Sequence, residues 1–170
     1  MHREHVGPHG ASVSELVERL SQRTDLRTAP NHDLRLAAAH HDIGKTGVPE
    51  ELLAAPRPLT GDERTLVDAH ARVGADLLTT LGVDPEATRA VANHHERYDD
   101  SGREIVTEPE WAEVICACDA ITTMLSNRPY AAMKTDREAL AELRACRGTQ
   151  FHPETVDALH FVDIRRPTAA

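Results

Sequence analysis

Residues 41–45 read His-Asp-Ile-Gly-Lys, and they are followed by His70 and then by the adjacent pair His94-His95. An adjacent His-Asp doublet offers one imidazole nitrogen and one carboxylate to the same divalent cation, the carboxylate can bridge two ions, and the later histidines can complete the set of donors. Any one of the eleven histidines, taken alone, is more often a solvated or packing residue than a ligand. The grouping changes that balance. His41 and His70 fall on apolar faces of separate helical segments, and Asp119 is a carboxylate set among Ile115, Ala117 and Ala120. Burying such groups is costly unless something pairs with them, and a shared metal is the economical partner. The chemistry indicated is that of a metal enzyme. Lys45, three residues after Asp42, can reach the same cavity and offer a charge to a phosphate oxygen or a proton to a leaving group. Its alternative is a plain ion pair with Glu50 or another acid.

The elements that must carry these residues follow from apolar periodicity and capping signals. Val13, Leu16, Val17 and Leu20 behind Pro8 predict a helix over about 8–24, with His9 in its first turn. Asp33 can cap a second helix through His41, with Leu34, Ala37, Ala38 and His41 on one face and Gly44 ending the run. Residues 44–49 read as a loop, with Pro49 opening a short helical turn. Thr60-x-x-Glu63 is a capping box for a long amphipathic segment, in which Leu66, His70, Val73, Leu77 and Leu81 form a stripe up to Gly82. Asp84-Pro85-Glu86 opens a helix carrying Val91, His94 and His95, and residues 99–102 form a turn. Thr107-x-x-Glu110 opens the helix of Ala117, Asp119 and Ala120, which must end before Arg128-Pro129. Thr135-x-x-Glu138 and Pro153-Glu154 start two last helices, and the tail from Arg165 reads as frayed.

With 3% aromatic residues the core must be built from Leu, Val, Ile and Ala, which suits packed helices and gives the expectation of an all-α fold. A length of 170 residues fits a single domain able to bury a core without disulfides, and no linker, repeat, transmembrane run or low-complexity segment interrupts it. The formal charge of -9, with basic residues scattered, argues against binding to long nucleic acid or to a membrane, while a small phosphate-bearing substrate held by cations stays compatible. Cys116, Cys118 and Cys146 are odd in number and no signal peptide precedes them, so they read as reduced thiols in a cytoplasmic protein. Positions two apart on a helix point in different directions, which disfavours Cys116 and Cys118 as a joint metal site. Leu77 to Leu81 offers a surface for a homodimer.

Taken together, His41-Asp42-Ile43-Gly44-Lys45 with Val48-Pro49, Leu59-Thr60 with Glu63, His70 with Gly74, His94-His95-Glu96-Arg97, Asp119, Arg128-Pro129-Tyr130 and Gly148-x-Gln150-Phe151-x-Pro153 form an ordered set. On these residues the chain resembles the HD superfamily of metal-dependent phosphohydrolases, and within it the HD-GYP branch of cyclic di-nucleotide phosphodiesterases, over about residues 9–160.

The resemblance implies an HD-domain helical bundle with a central metal site. It implies that His9, His41, Asp42, His70, His94, His95 and Asp119 bind two divalent ions, with Asp42 bridging them, a third ion conceivable and His5 a further candidate ligand. Iron or manganese suits this donor set first, zinc or nickel next. Two such ions about 3.5–4 Å apart activate a bridging water for in-line attack on a phosphodiester and stabilise its entering and leaving oxygens. Asp42 and Lys45 would be catalytic. Lys45, Arg97, Arg128 and Tyr130 would bind a cyclic di-nucleotide such as cyclic di-GMP, or another small nucleotide, although Arg128-Pro129-Tyr130 could equally fix a turn. His2, His32, His40, His152 and His160 are left to surface or packing roles. The chain departs from the branch where residues 99–105 read Asp-Asp-Ser-Gly-Arg-Glu-Ile in place of a Gly-Tyr-Pro segment, at Thr122, where a second acid is usual, and at Ala131, where a basic residue is common. These departures touch substrate contacts and leave the metal donors in place. Two alternatives remain beside this reading: a di-iron oxygenase built on a similar ligand set, and a non-catalytic module that binds a nucleotide or a protein.

Overall fold

A computed structural model describes residues 2–22, 32–99, 110–126 and 132–164, with side chains from residue 7 onward. The described residues form a helical bundle whose helices are α1 (His2–Ser21), α2 (His32–His40), α3 (Glu50–Leu53), α4 (Gly61–Asp68), α5 (His70–Thr80), α6 (Pro85–Asn93), α7 (Trp111–Met124), α8 (Asp136–Ala145) and α9 (Pro153–Leu159), with a 3-10 turn at Ile43–Gly47 between α2 and α3. No strand occurs among them. The all-α expectation holds, and no described helix is long and apolar enough to cross a membrane.

The core is aliphatic, as the composition requires. Val13, Leu16, Val17 and Leu20 of α1 are fully buried and meet Leu34, Ala37 and Ala38 of α2 and Val114, Ile115, Ala117, Cys118 and Ile121 of α7. Helix α1 packs on α2 and α7, α2 and α7 both pack on α6, and α5 packs on α6 and on the 3-10 turn. Three capping signals form as read. Thr60 and Glu63 close a reciprocal box on α4, Thr135 and Glu138 close one on α8, and the Asp84 side chain accepts from the backbone N–H of Glu86 ahead of Pro85.

Elsewhere the boundaries move, each for a physical reason. The first helix begins at His2 and runs through Pro8, so His9 lies in its body rather than in its first turn. Proline fits a first turn at no cost and therefore imitates a start, yet inside a helix it forfeits one backbone bond and can be tolerated. Helix α2 stops at His40, one residue before His41, and the expected loop at 44–49 is largely the 3-10 turn. Pro49 is the N-cap of α3 rather than its first residue. His94 is the C-cap of α6 and His95 lies beyond it, so neither is inside that helix. Helix α7 takes Glu110 as its N-cap, in a box with Glu113, where the sequence suggested Thr107; Thr107 lies outside the described residues.

The largest correction concerns residues 61–82. The long amphipathic segment is two helices broken at Ala69, and of the expected stripe only His70 is buried, Leu66 being 49%, Val73 50%, Leu77 41% and Leu81 69% exposed. His70, Ala71, Gly74, Ala75 and Leu78 are the buried face. Small residues are needed there because the 3-10 turn comes against α5 at backbone distance. A Cβ built on Gly44 would stand 2.0 Å from the carbonyl oxygen of His70 and 2.6 Å from the backbone nitrogen of Gly74. A similar approach joins the first two helices, where a Cβ on Gly10 would stand 2.1 Å from the carbonyl oxygen of Ala39. Backbone atoms cannot move aside as a flexible side chain can, so Gly44→Ala and Gly10→Ala should each destabilise the protein by about 1–3 kcal/mol or more. Urea unfolding is the measurement, and a midpoint unchanged in either variant would refute the close-packing account at that position.

Candidate metal centre

Three histidines stand where helices end. His41 follows α2, His70 follows the break after α4, and His94 caps α6. In each case Nδ1 lies against the carbonyl oxygen three residues earlier: His41 on Ala38 at 2.8 Å, His70 on Val67 at 2.6 Å and His94 on Val91 at 2.7 Å. A carbonyl only accepts, so Nδ1 must carry the hydrogen. In the neutral ring Nε2 is then a bare lone pair directed away from its own helix.

These lone pairs converge on Asp42. His70 Nε2 is 3.2 Å from Asp42 Oδ1, and His41 Nε2 is 3.5 Å from Asp42 Oδ2 and 3.9 Å from Asp119 Oδ1. His95 Nε2 sits 3.3 Å from His70 Nε2, and the His94 and His95 rings lie 4.0 Å apart. On the other side, His9 Nε2 meets Asp119 Oδ1 at 2.8 Å. Donor atoms within metal-sharing reach fall into two groups, Asp42 with His70, His94 and His95, and Asp42 with His9 and His41. Asp42 belongs to both, one oxygen toward each.

The structure thus brings together all seven residues read as metal donors. Lys45 joins them, its Nζ 2.6 Å from Asp42 Oδ2, so the ion pair raised as its alternative exists with Asp42 itself. Arg97 is 51% exposed and forked onto Asp99 at 2.9 and 3.0 Å. Arg128 and Tyr130, and the side chain of His5, lie outside the described residues. Thr123, which the sequence reading passed over, donates to Asp119 Oδ1 at 3.2 Å. Its signal was the four-residue spacing that puts it on the face of Asp119. Thr122 bonds back to the carbonyl of Cys118 at 2.8 Å, so it is a helix-face residue here.

The segment after the double histidine is stitched to the turn between α8 and α9. The backbone N–H groups of Tyr98 and Asp99 donate to the carbonyls of Gln150 and Thr149 at 3.2 and 2.8 Å, and the Tyr98 ring meets His152 edge-on at 4.9 Å. His152, left to a packing role by the sequence, is buried and accepts from the N–H of Glu154 as the cap of α9.

The electrostatics suit a cation. His41 Nε2, Asp42 Oδ1 and His94 Nε2 are buried without a hydrogen-bond partner. Burial resists ionisation of Asp42, but the His70, His41 and Lys45 side chains close around it hold its carboxyl well below the usual range. Burial likewise resists ionisation of Asp119, and His9 and His41 outweigh it. Burial, with His95 and His41 nearby, keeps His94 neutral, and burial with His70 lowers His95. Imidazole lone pairs around ionised carboxylates are what a borderline divalent cation takes. The residues therefore fit the metal that the donor set implies. The thiols do not take part: burial pushes Cys116 up to about 12 and Cys118 higher still, whereas a metal needs the thiolate.

A helical bundle that converges histidines and aspartates in this order defines a family. The family model described as HD domain matches residues 1–155, and the chain belongs to that family. It is similar to the cyclic di-GMP phosphodiesterase response regulator RpfG of Xanthomonas campestris pv. campestris, with 39% identity over 133 residues that cover 74% of this chain and 35% of the relative. It is similar also to a cyclic di-GMP phosphodiesterase of Thermotoga maritima, with 30% identity over 164 residues that cover 88% of this chain and 42% of the relative. The chain spans less than half the length of either relative. Among solved structures, Bd1817, an HDG"Y"P protein from Bdellovibrio bacteriovorus, has the same fold, with a TM-score of 0.69 at 18% identity over 92% of this chain and 51% of that one.

Since a cation would satisfy the orphaned donors, metal should stabilise the folded chain. A divalent ion at about a hundred times its dissociation constant should add about 2.7 kcal/mol. Thermal unfolding of chelator-treated protein with and without Mn²⁺ or Zn²⁺ tests this. The rise should shrink sharply in His94→Ala, and a midpoint indifferent to every such ion would argue against a metal centre.

Proposed function

We propose that this domain is a metal-dependent phosphodiesterase that cleaves a cyclic di-nucleotide, cyclic di-GMP first among candidates, or another small nucleotide. The observation that carries the proposal is the set of carbonyl-fixed imidazoles around Asp42 with the Lys45 ammonium at its edge. The similarity to relatives named as cyclic di-GMP phosphodiesterases supports the choice of substrate.

In this reading His70, His94 and His95 would hold one divalent ion and His9, His41 and Asp119 a second, with Asp42 shared between them. Iron or manganese suits these donors first and zinc or nickel next. The chemistry such ions supply is polarisation of a phosphoryl oxygen and activation of water at neutral pH. The protein's own part is positional and electrostatic. The hydrogen bonds from Nδ1 keep His41, His70 and His94 aimed, and Asp42 and Asp119 keep their charge despite burial. Thr123 steadies Asp119. Lys45, with 24% of its side chain exposed, offers its ammonium to a nonbridging phosphate oxygen or a proton to the leaving oxygen. Arg97, Arg128 and Tyr130 are the candidates for holding the phosphates. The working unit is a single domain of about residues 9–160.

Metal-loaded protein incubated with cyclic di-GMP, cyclic di-AMP and 3'3'-cGAMP should convert at least one to its linear product, as followed by chromatography. Asp42→Asn and His41→Ala should abolish turnover, and Lys45→Met should lower it by about 10²–10³. Full turnover in Asp42→Asn would sink the proposal.

A further inference from the structure

The two halves of the centre are not equally ready for an ion. In the half made by His70, His94 and His95, Asp42 Oδ1 accepts no hydrogen bond and His94 Nε2 has no partner, and the 3.3 Å contact between His95 and His70 joins two imidazole nitrogens. In the half made by His9, His41 and Asp119, His41 Nε2 is likewise without a partner, but Asp42 Oδ2 and Asp119 Oδ1 are each engaged. Lys45 Nζ holds Asp42 Oδ2 at 2.6 Å, and His9 Nε2 holds Asp119 Oδ1 at 2.8 Å. We propose that Lys45 is a built-in counter-ion that competes with metal for Asp42 Oδ2, so that the centre loads in order, the His70–His94–His95 half first, and filling the second half releases the Lys45 ammonium toward the substrate. This rests on the metal-centre reading above and adds to it an order of loading and a device that sets it.

The argument is one of charge at a shared atom. A short contact between an ammonium and a carboxylate 5% exposed is a charge-assisted hydrogen bond that water screens poorly. A divalent ion at the same oxygen repels the ammonium, and a flexible four-carbon stem lets the lysine yield. The first ion, bound through Oδ1, displaces no cation. The second must move Lys45, and its apparent affinity falls by what that contact is worth. The released ammonium stays tethered three residues from Asp42, on a side chain 24% exposed and so within reach of a phosphate arriving from solvent. An incompletely loaded centre therefore withholds the lysine from substrate, and a filled one presents it.

Calorimetric titration of metal-free protein with Mn²⁺ tests this without any assay of activity. The wild type should bind in a tight step and a weaker one. Lys45→Met, similar in length and uncharged, should tighten the weaker step by about tenfold or more and change the tight step by less than about threefold. Lys45→Arg, which keeps the charge, should leave the weaker step weak. In Asp119→Asn the weaker step should be lost, and adding Lys45→Met should leave the remaining step as it was. An unchanged or weakened second step in Lys45→Met, or equal tightening of both, overturns the inference while leaving the metal centre standing. Failure of the wild type to bind Mn²⁺ or Zn²⁺ at all overturns the metal centre and the inference with it.

Discussion

The centre depends on a hydrogen bond made three times over, from an imidazole Nδ1 to the carbonyl of the residue three places earlier. A helix leaves its last carbonyls without intrahelical partners, and a histidine just past its end can satisfy one of them. Doing so fixes the tautomer and the ring plane together. His41 after α2, His70 after α4 and His94 at the end of α6 each repeat this, so three helix ends become three aimed lone pairs. The break at Ala69, which looks like an interruption of a long helix, supplies the second of these ends. The bundle is arranged so that these ends meet at Asp42.

Local signals carried most of the fold. Capping boxes at Thr60 and Thr135 and the Asp84-Pro85 start are chemistry written over three or four adjacent residues, and the folded chain keeps them. What the sequence could not convey is which face of a helix another backbone would approach. Periodicity favours large apolar side chains, so Leu66, Val73, Leu77 and Leu81 looked inward, whereas contact with the 3-10 turn demands Gly74, Ala71 and Ala75. The tell was present in Gly44 and Gly74, but a glycine becomes a packing signal only once its partner is known. For the site, residue types and order sufficed to collect the donors. The pairings did not follow from them: that His9 answers Asp119 across 110 positions, and that Lys45 answers Asp42 rather than Glu50, are outcomes of tertiary geometry.

The balance of charges gives the centre its character. Burial alone would neutralise Asp42 and Asp119, yet both are held ionised by the groups around them, while His94 and His95 are held neutral by the same burial. Acids kept charged and bases kept uncharged give a site that is strongly attractive to cations before any arrive. Among the described residues Lys45 is the ammonium or guanidinium in contact with Asp42, which is why its role is tied to metal as closely as to substrate.

The seam between Tyr98-Asp99 and Thr149-Gln150 carries a consequence for how such a domain changes over time. Backbone bonds pin the chain just after the double histidine, and the Glu110–Glu113 box pins it again at the start of α7. Between two pinned points the cost of a longer or shorter connection grows only slowly with length. A change of length in residues 100–109 therefore costs little at the donors that stand on either side of them. The donor residues thus tolerate substitution in the connection beside them, because their positions are set by bonds that lie outside it.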